Sequence, residues 1–245
     1  MQLPVVRGVI QRRVLVNYRV RPEVLRGLLP PPFEPKTVAG WGMAGICLIR
    51  LVELRPRGIP ARFGLSSENA AHRIAVVWSQ DGARQEGVFV RRRDTSAWWN
   101  VVAGGHLFPG VHHRADFDIH ETPERLRLAL ESRDGATRVT VGGAAASNLP
   151  ASSVFGSLGE ASRFFELGAR GYSPGSRPGR FDGLELRTQL WNVVPFEVSE
   201  LRSSFFESRE LFPEGSAEFD NALLMRDVPH EWHAMRQVWS PGDAA

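Results

Sequence analysis

The chain has 245 residues, 42% of them hydrophobic and 23% charged, with 30 basic against 27 acidic side chains for a net charge of +3. That balance is ordinary for a globular protein of one core and excludes a disordered or strongly polycationic chain. Apart from Arg91, Arg92 and Arg93 the basic residues are scattered among acids, so no stripe follows a phosphate backbone and nucleic acid is not an expected partner. The single cysteine, Cys47, rules out an internal disulfide and a thiolate-rich metal site. No run of 18 apolar residues and no basic-then-apolar leader occurs, so the expectations are a cytoplasmic location and no membrane partner.

In chain order, the valine-rich segment Val5 to Val20 reads as one or two strands. Pro22 to Leu29 follows as a short amphipathic helix, with proline in the first turn and Pro30-Pro31-Pro32 closing it. Thr37 to Leu54 reads as strand, with glycines at 40, 42 and 45 marking bulges or close backbone approach, and Pro56 to Ser67 as a loop. His72 to Ser79 and Gly87 to Arg93 form a hairpin about Asp81-Gly82. Thr95 to His106 carries helical spacing ended by Gly104-Gly105. Strands follow at Val111 to His120, Glu124 to Ser132 and Ala136 to Gly142.

Ser157 to Ala169 is the strongest helix, with Ser157 and Glu160 in capping-box spacing. Tyr172 to Arg180 reads as a Gly/Pro/Ser loop, and alternating segments at Leu184 to Phe206 and Ala217 to Met225 complete the chain, whose end after Ser240 reads as frayed. The pattern predicts one α+β domain over 1–245, a mostly antiparallel β barrel or sandwich with about three attached helices. A doubly wound parallel sheet does not fit, because helices do not alternate with strands and no Gly-rich strand-to-helix turn occurs.

Several groups could carry chemistry. His112 and His113 are adjacent on a strand and point to opposite faces, so only one can face a cavity. With His106 they are the candidate imidazoles, and hydrogen-bonded or solvated histidine outweighs a metal site built with Glu68. Ser67-Glu68-Asn69-Ala70-Ala71-His72-Arg73 gathers a carboxylate, an amide, an imidazole and a guanidinium at a loop-to-strand junction. A turn with a surface ion pair explains that segment equally well. Cys47, in the apolar run Gly45 to Ile49, reads as a small buried hydrophobe and a poor nucleophile. No Gly-x-Ser-x-Gly elbow is present, and Lys36 is the sole lysine, beside Pro35 in a surface-like loop.

The stretch Asn17-Tyr18-Arg19-Val20-Arg21-Pro22-Glu23-Val24-Leu25-Arg26-Gly27-Leu28-Leu29-Pro30-Pro31-Pro32-Phe33-Glu34 resembles the Tyr-Arg-Thr-Asp-x-x-Ala-Leu-Arg-x-x-Leu-Pro-x-x-Leu-Glu opening of acetoacetate decarboxylases. The order of later features is similar to that superfamily, and within it to the uncharacterised YqjF-like branch. The resemblance implies the acetoacetate decarboxylase-like fold, a small-molecule cavity, no cofactor and a tendency to form homo-oligomers. It also implies an active-site glutamate near Glu68 and an active-site arginine near Gln11 or Arg12. The family's lysine pair would fall in Gly105 to His113, where this chain has no lysine. Without that amine no protonated imine can form there as the electron sink for decarboxylation.

The expectation is therefore a cavity for a carboxylate- or carbonyl-bearing small molecule. Glu68, His106 and His112 are the candidate catalytic groups, and Arg12, Asn69, His72, Arg73 and His113 the candidate ligand-binding groups. General acid/base work on an oxo acid, as a lyase or isomerase without a Schiff base, suits these side chains. A non-catalytic binding or scaffold protein and a histidine-dependent metal lyase or hydrolase are the competing readings.

Overall fold

The computed structural model describes residues 5–98, 110–175, 177–188 and 190–240. In chain order these form β1 (Val6–Val20), α1 (Pro22–Leu28), β2 (Glu34–Pro35), β3 (Thr37–Val38), β4 (Trp41–Pro56), β5 (Leu65–Gln80), β6 (Ala83–Thr95), β7 (His112–Glu121), β8 (Leu126–Ser132) and β9 (Arg138–Ala145). There follow α2 (Leu158–Glu166), β10 (Arg170–Pro174), β11 (Arg180–Thr188), β12 (Val194–Ser203) and β13 (Ala217–Trp239). Single 3-10 turns lie at Ala61–Phe63 and Leu167–Ala169. The helix expected over Thr95 to His106 lies mostly outside the described residues. Among the described residues no helix is long and apolar enough to cross a membrane.

The strands make one 13-stranded sheet that closes on itself twice. One ring runs β6, β5, β4, β1, β13, β11, β10 and back to β6. The other leaves β6 through β7, β8, β9 and β12 and rejoins at β13. The two barrels thus share the wall β13-β1-β4-β5-β6. Among the described residues only β6 with β7 and β6 with β10 pair in parallel, so the sheet is predominantly antiparallel.

A shared wall has no solvent face, and its strands carry apolar residues on both sides. Even-numbered positions Val14, Val16, Ile46, Leu48 and Ala70 face the second barrel, where they pack on Leu126, Leu128, Val139, Val141, Phe196 and Leu224. Odd-numbered Leu15, Cys47, Ile49 and Leu51 face the first barrel with Leu186, Leu223 and Val228. Gly45 is required in this wall, because a Cβ there would lie 2.2 Å from the Val16 carbonyl oxygen.

The helix α2 starts where Ser157 accepts a hydrogen bond from the Glu160 amide at 3.2 Å. Its buried face, Ala161 and Phe165, packs on the first barrel's cluster. Residues Tyr172 to Pro174, read from sequence as the start of a loop, belong to strand β10. Its Gly and Pro content hides a pairing that is entirely tertiary, antiparallel to β11 and parallel to β6.

Candidate active site

The first barrel holds a partly open cavity of about 130 Å³. Its apolar lining comes from Ile49, Leu51, Val88, Val90, Leu184, Leu186 and Trp232, and its polar lining from Arg13, Cys47, Asn69, Arg73, Arg93 and His112. Strand register explains why these groups meet. Cys47 pairs with Ala71, Ala71 with Arg93 and Arg93 with His112, a row across β4, β5, β6 and β7. One row along, Arg13 pairs with Ile49, Ile49 with Asn69 and Asn69 with Thr95. Directly paired residues project to the same side of a sheet.

Arg93 joins this face through a β-bulge. Arg73 pairs with Val90 and His72 with Arg92, leaving Arg91 as an extra residue on β6. The bulge resets the alternation, so that Val90 and Arg93 both point inward.

Three guanidiniums thus converge on a small space. Arg13 is 9% exposed and Arg73 6%. Arg13 Nε donates to Cys47 Sγ at 3.2 Å, and its guanidinium lies 5.5 Å from the centre of the Trp191 ring. Arg73 Nη2 donates to Asn17 Oδ1 at 2.5 Å, and its guanidinium stands over Phe165 at 5.1 Å. Arg93 Nη2 donates to Ser173 Oγ at 3.0 Å. Among the described residues no carboxylate pairs with any of the three, and Arg13 Nη1, Arg73 Nε and Arg93 Nε have no hydrogen-bond partner. The carboxylate of Asp94, which also borders the cavity, is held instead by Arg92 Nε and Nη2 at 3.0 and 2.8 Å. Burial pulls both Arg73 and Arg93 down to about 10, and the Cys47 sulfur opposes that loss.

His112 is pushed down to about 3 by burial and then by the Arg93 charge, so its imidazole is neutral at physiological pH. Its Nδ1 lies 3.3 Å from the Gly110 carbonyl oxygen, an acceptor only, which places the proton on Nδ1 and leaves the Nε2 lone pair open. Gly110 has φ +85°, and a Cβ there would meet Ser173 Cβ at 2.8 Å, so the turn that seats His112 needs glycine.

The sequence candidates separate by face. Asn69, Arg73 and His112 line the cavity. Their chain neighbours Glu68, His72 and His113 do not, because adjacent strand residues point to opposite sides. Arg12, too, is turned away, and Arg13 takes the inward position beside it.

Arg12, fully buried, bridges Glu68 at 2.7 Å and Glu121 at 2.6 Å, and Arg226 holds Glu121 at 2.6 Å. Burial raises the Glu68 carboxyl, while the Arg12 and Arg50 charges act in the other direction. His72 packs on Phe205 with ring centres 5.0 Å apart, has no hydrogen-bond partner among the described residues, and is pushed down to about 3 by burial. His113 Nδ1 pairs with Asp134 at 3.0 Å. His106 lies outside the described residues.

Sequence reasoning missed Arg13, Arg93 and Cys47. The valine-rich strand gave no sign of which of Arg12 and Arg13 turns inward, and Cys47 has no charged neighbour in its own run. Lys36 is not among the cavity residues; its Nζ pairs with Glu86 at 2.6 Å and stands over the Phe164 ring at 4.2 Å. Among the described residues no group of three or more His, Cys, Asp or Glu side chains could hold a metal ion.

A model of the DUF2071 family, described as an uncharacterized conserved protein, matches residues 9–225. No curated protein is significantly similar in sequence. Among solved structures, an acetoacetate decarboxylase from Legionella pneumophila subsp. pneumophila str. Philadelphia 1 superposes with a TM-score of 0.62 at 13% identity, over 96% of this chain and 88% of that one. An acetoacetate decarboxylase-like enzyme from Sphingomonas wittichii RW1 gives 0.59 at 14% identity, over 98% and 93%. The enduracididine biosynthesis enzyme MppR complexed with pyruvate gives 0.58 at 11% identity, over 98% and 91%. These likenesses establish the acetoacetate decarboxylase-like fold.

Proposed function

The chain belongs to the DUF2071 family, and we propose that its first barrel binds a small oxo acid and abstracts a proton from the carbon beside the carbonyl. The observation that carries this reading is the set of three cavity guanidiniums that no carboxylate of the described residues neutralises. Burying uncompensated cations such as Arg13 and Arg73 costs several kcal/mol each, on the order of the whole stability margin, unless an anion completes the site. A ligand carboxylate supplies that anion, and guanidinium forks match its geometry. Size agrees: a cavity of roughly 150 Å³ accepts benzene, so about six non-hydrogen atoms fit a space like this one. Pyruvate is such a molecule, and MppR, of the same fold, is described in complex with it.

The chemistry available is proton transfer. His112, neutral and with Nε2 open, is the proton acceptor; a bound carboxylate offsets the Arg93 charge that, after burial, holds its basicity down. As the enolate forms, its oxygen gains negative charge in a cavity already positive, and Arg93 lies on the same face to receive it. No Schiff base enters this reading, because Lys36 is bound to Glu86 outside the cavity lining. The reaction class is therefore an isomerase or lyase working through an enolate.

Isothermal titration with pyruvate and with its neutral amide tests the binding: pyruvate is expected to bind and the amide not. Equal heats from both, or none from pyruvate, would remove the basis for the reading. Deuterium entry into the pyruvate methyl group in D2O, lost in His112→Gln, tests the base. Binding without exchange would instead favour a non-catalytic binding protein.

A further inference from the structure

Cys47 is a cavity group the reading above leaves unused. It is 6% exposed, lines the cavity from the middle of β4, and receives the Arg13 Nε hydrogen bond at 3.2 Å. The neighbouring side chains that point to a ligand are independent of the sulfur: Arg13 and Arg73 are more than nine-tenths buried, line the same cavity, and each leaves a nitrogen without a partner. A carboxylate held between them sits against the face that carries the thiol. The row from Cys47 through Ala71 to Arg93 and His112 then sets the remaining polar groups on the far side of such a ligand.

We propose that Cys47 is a nucleophile of this cavity, adding reversibly to the carbonyl carbon of an oxo acid whose carboxylate the arginines hold. The inference rests on the oxo-acid reading. In the step, a bond forms between sulfur and the carbonyl carbon, the π pair of the C=O bond moves to oxygen, and the thiol proton ends on that oxygen. The product is a thiohemiketal, with no oxidant, reductant or leaving group. Guanidiniums facing the carbonyl stabilise the oxyanion that precedes the final protonation. His112, whose Nε2 is open, can carry the proton from sulfur to oxygen.

Two measurements test the proposal, and it requires both results. In the first, [2-13C]pyruvate is added to the folded protein, and the labelled carbon is expected to give a protein-bound tetrahedral-carbon resonance, distinct from that of pyruvate's free hydrate, that Cys47→Ala lacks. In the second, the thiol is alkylated by iodoacetate or iodoacetamide, a displacement in which the sulfur–carbon bond forms, iodide leaves and the proton goes to solvent. A positive cleft concentrates an anion 10-fold or more, so iodoacetate is expected to modify Cys47 at least about tenfold faster than the neutral amide. Pyruvate should slow it. Equal rates, an inert thiol, or a tetrahedral signal that survives Cys47→Ala would overturn the proposal. If either failure occurs while pyruvate still binds by titration, the thiol inference alone is lost; if pyruvate does not bind, the oxo-acid reading falls first.

Discussion

Two barrels share one wall, and their interiors are opposite in kind. The second barrel is filled by Leu126, Leu128, Leu130, Val139, Val141, Phe196, Phe206 and Phe212 against the even-numbered side of the wall. The first keeps a cavity and turns Arg13, Arg73 and Arg93 into it from the odd-numbered side, with Arg93 brought in by the bulge. Close packing stabilises, whereas an unfilled cationic space costs stability and gains only from a ligand. The contrast teaches that one barrel serves as the scaffold on which the other can hold an unfavourable but useful arrangement.

The largest effect expected from this contrast belongs to the filled side. Phe196→Ala should lower unfolding free energy by about 3–5 kcal/mol, as truncations of fully packed aromatic residues do, in urea denaturation. A loss under about 1 kcal/mol would mean that the second barrel is not close-packed.

Next comes the ion-pair cluster on that same side. Glu68→Ala removes a partner of the fully buried Arg12, which keeps Glu121, so a loss of about 2 kcal/mol is expected while pyruvate affinity stays within about twofold. Loss of binding with stability unchanged would place Glu68 at the ligand instead.

Acid sensitivity is a graded effect, measured one histidine at a time. His72 and His112 are held down to about 3 and His230 to about 4, below the ordinary 6.5, by burial first. The unfolded chain therefore takes up protons that the folded one refuses, and stability present above pH 6.5 is lost as pH falls toward 4. The slope contributed by each histidine approaches about 1.4 kcal/mol per pH unit within that window. Denaturation of His72→Leu at pH 6.5 and 5 should show a shallower fall than the parent by one proton. An identical slope would mean that His72 protonates in the folded state.

Much of this architecture is legible in the sequence. Valine-rich alternation marks β1, the Asp81-Gly82 turn marks the β5–β6 hairpin, and Ser157 with Glu160 marks the start of α2. The site is legible only up to a choice of face. In a half-buried strand the polar residues reveal the outer side, but a wall buried on both sides removes that signal. Arg12 and Arg13, Glu68 and Asn69, His72 and Arg73 consequently look alike as candidates until register assigns them. A shift of one residue exchanges the two sides, which is the distance between Arg12, one of the two positions implied by family resemblance, and Arg13, which lines the cavity. The bulge at Arg91 and the closure of β11 onto β13 are tertiary facts with no local trace.

The central claim is that the first barrel keeps positive charge for an anionic ligand at the expense of its own stability. Arg13→Met, which removes one guanidinium and fills its space with an apolar chain, measures both halves in one thermal-unfolding series with and without pyruvate. The ligand-free variant should be more stable than the parent by about 1–2 kcal/mol. The stabilisation of about 2.7 kcal/mol that the parent gains from pyruvate at a hundred times Kd should vanish. A ligand-free variant less stable than the parent, with its response to pyruvate intact, would contradict the account.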